Sequence, residues 1–375
     1  MSDERLLAEA IRSLKTPAIA GFGNPLLDIF VTLNSDDMLN KYSLKVDGEE
    51  ELPADKIQQL INELPSESEQ NISPGGCAQN TIRVIQWLCG GQSGPQVGLF
   101  CGGLGNDSRG KILQDMVRAI GIDARYAIHP DLPTGVCVSM VKRPWRSLVA
   151  NLGAASVYTL ENLAQHDLPL NSLKIIYIEG FFITHSFDVA LELVKLARDK
   201  GITVAFNISG EYIFQEHQVA ICDMVGLSGI VFGNAREMTA LARVLNLQFN
   251  NVQEIPFLLN NLKRVTVGAS SKNDGNWLSD EGIIVMTQGG KSPAIVVWGE
   301  GESAQITFQV LPEIPENPVL DTTGAGDSLV AGFLLGALVG RSPKACLKLG
   351  CKVASMIVTR VGVTFPGSIP AHLLQ

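Results

Sequence analysis

The sequence predicts an α/β protein built on a mostly parallel sheet. Three observations carry that expectation: short β-branched apolar runs recur along the chain, helical patterns separate several of them, and glycine-rich turns sit where strands hand over to helices.

The runs Ala18–Phe22, Val97–Cys101, Ile175–Ile178, Thr203–Phe206, Gly229–Phe232 and Ile283–Met286 contain no charge, as strands covered on both faces require. Phe187, Ala190, Leu191, Val194 and Ala197 recur at helical spacing before Lys200-Gly201, which predicts a helix with that face inward. Alternation of this kind implies right-handed crossovers, and ligands in such sheets sit at the carboxyl ends of the strands. Leu26–Asn71 and Ala124–Asn151 break the rhythm. They either pair into a small second sheet or are surface excursions. Stretches 65–76, 90–95 and 270–282 read as loops.

At 375 residues and 46% hydrophobic, the chain can bury one large domain with a satellite. A formal charge of -9 and no basic cluster argue against nucleic acid or an anionic membrane as partner. Seven cysteines without a Cys-x-x-Cys pair signal neither a zinc site nor a disulfide framework, which suits a reducing compartment. The acidic start, Met1-Ser-Asp-Glu, is unlike a signal peptide. The longest apolar stretch, Ser328–Val339, is too short to span a membrane and reads as a buried helix.

The chemistry concentrates in Asp321-Thr322-Thr323-Gly324-Ala325-Gly326-Asp327, directly before that helix. A glycine turn entering a buried helix leaves backbone N–H groups aimed at one spot, where the helix dipole favours an anion. Asp327 then lies beside the anion and can take a proton from a hydroxyl attacking a phosphoryl group. Gly289-Gly290-Lys291-Ser292 is not a P-loop, because Val285 stands where that template needs glycine. Gly103-Leu-Gly105-Asn-Asp107 has the wrong spacing for a dinucleotide loop, and Asp107 or Ser108 there is a helix cap. Asn24, Asp28 and Asn80, with Gly75-Gly76 allowing close approach, suit the vicinal hydroxyls of a sugar, while turn and capping chemistry accounts for them equally well.

The segment Asp321–Asp327 resembles the C-terminal signature of the ribokinase-like (PfkB) carbohydrate kinases, and Gly75-Gly76 with Asn80 resembles their sugar-binding glycine pair. Gly23–Asp28, Pro133-Thr134-Gly135, Arg146–Leu152, Gly180-Phe181-Phe182 and Thr364-Phe365-Pro366 are similar to the adenosine kinase branch of that family. The resemblance implies a three-layer α/β/α domain over the whole chain, with a small α/β lid from about 26–72 and 124–152. It implies phosphoryl transfer from ATP to adenosine with Mg²⁺, Asp327 as base, the Gly324, Ala325 and Gly326 amides on the phosphate, and Arg146 closing over it. Asn24, Asp28, Gly76, Cys77 and Asn80 would hold the ribose. Cys137, Leu152 and Phe181 or Phe182 would enclose the purine. Thr287, Gln288, Gly289, Thr322 and Asn234 would serve ATP, and Glu237 would hold the metal through water. A monomer in the cytoplasm, with a nuclear form left open, also follows from the resemblance. Ala235-Arg236, Cys77 and Asn207–Tyr212 depart from the pattern of that branch, as do Glu49–Glu51, which stand in the lid where the resemblance implies an amide near the purine.

Overall fold

The uncharged runs form parallel strands, because helices over both faces leave no room for a charge on either. The computed structural model describes residues 3–46, 48–64, 71–142, 145–267, 282–299, 305–309 and 317–370. Its strands are β1 (Ile19–Phe22), β2 (Leu26–Thr32), β3 (Glu49–Glu51), β4 (Ile72–Gly75), β5 (Gly98–Gly105), β6 (Asp123–His129) and β7 (Val136–Lys142). They continue as β8 (Trp145–Asn151), β9 (Ile175–Glu179), β10 (Thr203–Asn207), β11 (Ile230–Asn234), β12 (Ile283–Thr287), β13 (Ala294–Trp298) and β14 (Gln305–Gln309). The large sheet runs β14-β13-β12-β11-β10-β9-β1-β5-β6 and the small one β3-β8-β7-β2-β4. In the large sheet the strands from β6 to β12 are parallel, and β13 and β14 turn back antiparallel.

The helices are α1 (Asp3–Arg12), α2 (Asp37–Lys41), α3 (Ala54–Asn62), α4 (Cys77–Leu88), α5 (Ser108–Arg118) and α6 (Leu160–Gln165). After them come α7 (Gly180–Lys200), α8 (Phe214–Leu227), α9 (Ala235–Val244), α10 (Ile255–Val267), α11 (Ala325–Leu338) and α12 (Pro343–Ile357). On one face of the large sheet Phe100, Tyr177, Phe232 and Val285 pack with Ile82, Ile85, Phe333 and Leu347. On the other, Phe22, Ile178 and Phe206 pack with Val189, Leu193, Ile221 and Leu241. Each such side chain contributes about 1.5–3 kcal/mol when fully buried. The layers are therefore α/β/α. None of the helices among the described residues is long and apolar enough to cross a membrane.

Three local expectations change. Asp123–His129 joins the edge of the large sheet through β5, so the second irregular stretch reaches the small sheet only at Val136. Edge position lets β6 carry Asp123 and Arg125, which hid it from an apolar search. Residues 72–75 are strand rather than loop: β4 is an edge, where Pro74 is tolerated. Helix α7 begins at Gly180 and is kinked at Ser186, whose hydroxyl donates to the Tyr158 carbonyl at 2.8 Å. The kink shifts the inward face to Val189, Ala190, Leu193, Val194 and Ala197, and Leu191 is 39% exposed. Gly201, left-handed at φ 66°, ends the helix. The loop expected over 270–282 falls outside the described residues except for its last position.

Helix α11 is buried from Asp327 to Leu338, so it anchors the turn before it. It crosses α12 at two glycines: a Cβ on Gly332 would lie 2.7 Å from the Gly350 Cα, and one on Gly350 would lie 2.5 Å from the Leu329 carbonyl oxygen. Gly332→Ala is expected to cost about 1–3 kcal/mol, read as a lower thermal midpoint, since the contact is backbone and cannot yield as a side chain would.

Candidate active site

The parallel strands end on one rim, and the glycine turn before α11 meets them there. Gly324 is the N-cap residue at φ 71°, a conformation that favours glycine, and a Cβ on it would overlap Val363. Asp321 pins the turn: its Oδ1 accepts from the Thr323 amide at 2.9 Å and hydroxyl at 2.7 Å, and its Oδ2 from the Gly362 amide at 2.8 Å. Of the three predicted amides, that of Ala325 already donates to the Thr322 carbonyl at 3.2 Å. The amides of Gly326 and Asp327 lie in the first helical turn, where no intrahelical carbonyl serves them. Beside Gly326 a Cβ would meet nothing within 4 Å. The open space at a helix N-terminus suits an anion.

Asp327 is 8% exposed, and its Oδ2 accepts from Asn80 Nδ2 at 3.1 Å. The Thr81 hydroxyl donates to the Asp327 carbonyl at 3.2 Å, so α4 holds both ends of the residue. Burial pushes the Asp327 carboxyl up to about 6, opposed by the Asn80 hydrogen bond and then by Cys77, Arg146 and Arg83. A carboxyl at that value accepts protons well near neutrality. Behind it, Arg83 donates to Asn80 Oδ1 at 2.8 Å, to the Pro74 carbonyl at 2.6 Å and to the Val363 carbonyl at 3.0 Å. Its guanidinium lies 5.4 Å from the centre of the Phe365 ring, which stacks on Trp87 at 5.2 Å. Arg146, on β8, donates to the Thr323 hydroxyl at 2.7 Å and stands 3.6 Å from Asp321 Oδ1.

Opposite Asp327, Asp28 of β2 presses against Gly75, where a Cβ would overlap its carboxylate. Burial lifts Asp28 to about 7, against the pull of Arg83 and with a push from Asp327. Gly76, at φ 88°, leaves room for the Asn24 carbonyl. Asn24 donates from Nδ2 to the Phe181 carbonyl at 3.2 Å, while its Oδ1 is buried without a partner. That oxygen can accept from a ligand hydroxyl.

A cavity of about 630 Å³ joins these groups. Asn24, Asp28, Gly76, Cys77, Asn80, Cys137, Leu152 and Phe181 line it, with Arg146. Thr322, Gly324, Ala325, Gly326, Asp327, Asn234, Glu237 and Thr287 line it as well. Three predicted residues lie elsewhere. Phe182 is 1% exposed and packs on Phe22 and Tyr158 in the core, because consecutive helical residues point apart. Gln288 turns away to donate to the Pro293 carbonyl at 2.7 Å, and Gly289 follows it outside the lining. Phe181 instead stacks on Tyr212 at 5.8 Å. Asp107 caps α5 through the Gly110 amide at 2.7 Å and also holds Thr134. Sequence reasoning missed Arg83 and Glu179. Each is a lone charge in an apolar element, which was the available signal.

A model of the pfkB family of carbohydrate kinases matches residues 52–370. The chain belongs to that family. As a pfkB kinase it moves a phosphoryl group from ATP to a hydroxyl. The chain is 30% identical over 353 residues to adenosine kinase 2 of Arabidopsis thaliana, covering 93% of this chain and 95% of that one. The adenosine kinase of Saccharomyces cerevisiae is 27% identical, over 94% and 97%. Among solved structures, Anopheles gambiae adenosine kinase in complex with P1,P4-di(adenosine-5) tetraphosphate superposes with a TM-score of 0.82 at 29% identity, over 95% of this chain and 100% of that one. Schistosoma mansoni adenosine kinase in complex with adenosine and AMP gives 0.80 at 26%, over 94% and 99%.

Three buried carboxyls gather in this pfkB site, since burial also pushes Glu179 up to about 8. Their ordinary values are 3.8 for the two aspartates and 4.5 for the glutamate, so the folded state binds the protons more tightly than the unfolded chain. Stability should therefore fall as pH rises from about 4 to about 8, and level off above. Ligand-free thermal midpoints across that range check the sign, and Asp28→Asn should make the decline shallower up to about pH 7.

Proposed function

We propose that the chain is an adenosine kinase that transfers the ATP γ-phosphoryl group to the adenosine 5′-hydroxyl, giving AMP and ADP. The observation that carries the reading is that one cavity brings Asp327 together with two sets of groups. These are the first turn of α11 and the set Asp28, Asn24 and Asn80, the last of which donates to Asp327. The small sheet acts as a lid over this cavity.

Asp28 and Asn24 supply acceptors for ribose hydroxyls, and Phe181, Leu152 and Cys137 supply apolar surface for a purine. Held there, the 5′-oxygen faces Asp327, which takes its proton as the bond to phosphorus forms. The first-turn amides and Arg146 receive the charge on the transferring group. A positioned base contributes about 10² to 10⁴ in rate.

Glu237 and Asn234 bear on the metal. The Glu237 carboxylate accepts from the Asn234 amide at 2.8 Å and Nδ2 at 2.6 Å, and both residues border the cavity. Among the described residues no cluster of three metal-ligating side chains exists. A single oriented carboxylate fits Mg²⁺, which keeps waters and relies on substrate phosphates rather than an all-protein cage. When bound there, the ion would neutralise phosphate charge, and Glu237 would hold it through water.

The direct test is ADP release from Mg-ATP with adenosine, inosine, guanosine, ribose and fructose offered separately. Strong preference for adenosine supports the reading, turnover with another acceptor moves the substrate, and no turnover at all leaves a nucleoside-binding paralogue. Asp327→Asn is expected to lower kcat by at least about 10³-fold while adenosine affinity stays within several-fold. In the native enzyme kcat/KM should fall as pH drops through about 6, where Asp327 takes up its proton. A chelator should abolish turnover and leave calorimetric binding of adenosine intact.

A further inference from the structure

Glu179 ends β9 and begins α7, yet its carboxylate makes no bond to its own helix. The Gly180 amide is served instead by the Ser209 hydroxyl at 3.0 Å. The side chain, 1% exposed, turns under the cavity. There its Oε1 accepts from the Asn24 amide at 2.6 Å and its Oε2 from the Ala78 amide at 2.5 Å. Gly23 makes the room: a Cβ on it would lie 2.6 Å from the Glu179 carboxyl carbon.

The two amides belong to different segments. Asn24 lies in the turn between β1 and β2, which leads to Asp28. Ala78 lies in the first turn of α4, between Gly76 and Asn80. A carboxyl buried this deeply needs donors for its oxygens, and the two N–H groups meet both of them. We propose that Glu179 is a positioning residue of the nucleoside subsite, a strut that sets the Asn24–Asp28 segment against the Gly76–Asn80 segment. Because Asn80 also donates to Asp327, the strut fixes where the acceptor hydroxyl meets the base. The ATP side hangs on α11, β11 and β12, while the hydrogen bonds of the Glu179 carboxyl go to Asn24 and Ala78.

This rests on the nucleoside kinase reading, and the test separates the two. Glu179→Gln keeps the size but sets an NH₂ against one of the two amides, and Glu179→Asp keeps the carboxyl but falls short of spanning both. With the best acceptor of the native enzyme, both variants are expected to raise the nucleoside KM at least about tenfold while the ATP KM stays within about threefold. Calorimetric adenosine binding without ATP should weaken in parallel, a readout that stands even where turnover is absent. If one variant fails to fold, the other carries the comparison. Nucleoside KM and binding within twofold of native in a folded variant overturn the proposal, as does equal loss on both substrates that tracks a lower thermal midpoint. A native enzyme without turnover on any acceptor overturns the kinase reading alone.

Discussion

The hydrogen bond from Asn80 to Asp327 is the constraint around which the molecule is arranged. It joins the first turns of α4 and α11, two helices packed on the same face of the large sheet, and so brings two dipole ends to one point. Neither first turn could sit there with ordinary residues. Gly76 and Gly324 adopt positive φ where a Cβ would overlap neighbouring chain. The approach is stabilised from behind by Arg83, whose bonds reach Pro74 and Val363 and whose flat face covers Phe365. The final described segment of the chain thereby becomes part of the floor of the site.

Charge is crowded into this floor. Asp28 and Asp327 share Arg83 as the fully enclosed cation, and these two carboxyls and that of Glu179 are lifted chiefly by burial. The cost falls on the ionised forms, the ones that accept from hydroxyls and amides. Stability and readiness for chemistry therefore pull in opposite directions across neutral pH. The apolar layers on both faces of the large sheet offset that conflict.

What could be read from the sequence was contiguous. The turn from Asp321 to Asp327 and the apolar helix after it occupy one stretch, so the glycine turn, the helix N-terminus and the carboxyl beside it were legible together, as were the six uncharged strands. The edge strands β4 and β6 were not, because an edge needs no unbroken apolar run. Phe182 and Gln288 were placed in the cavity by sequence, but adjacent residues diverge on a helix or at a turn. Glu179 escaped for a different reason. Its two partners lie 155 and 101 residues away, and no local pattern records a bond of that range.

Arg146 already leans on Asp321 and the Thr323 hydroxyl from the far side of the cavity. An incoming phosphate would find this arginine oriented, its roughly 2 kcal/mol of rotamer freedom already surrendered to a carboxylate that stands in for the anion. Exchanging one anionic partner for another changes the electrostatic total little. In the proposed reaction the residue would therefore confer aim more than grip, since the cation meets the phosphate already engaged with Asp321.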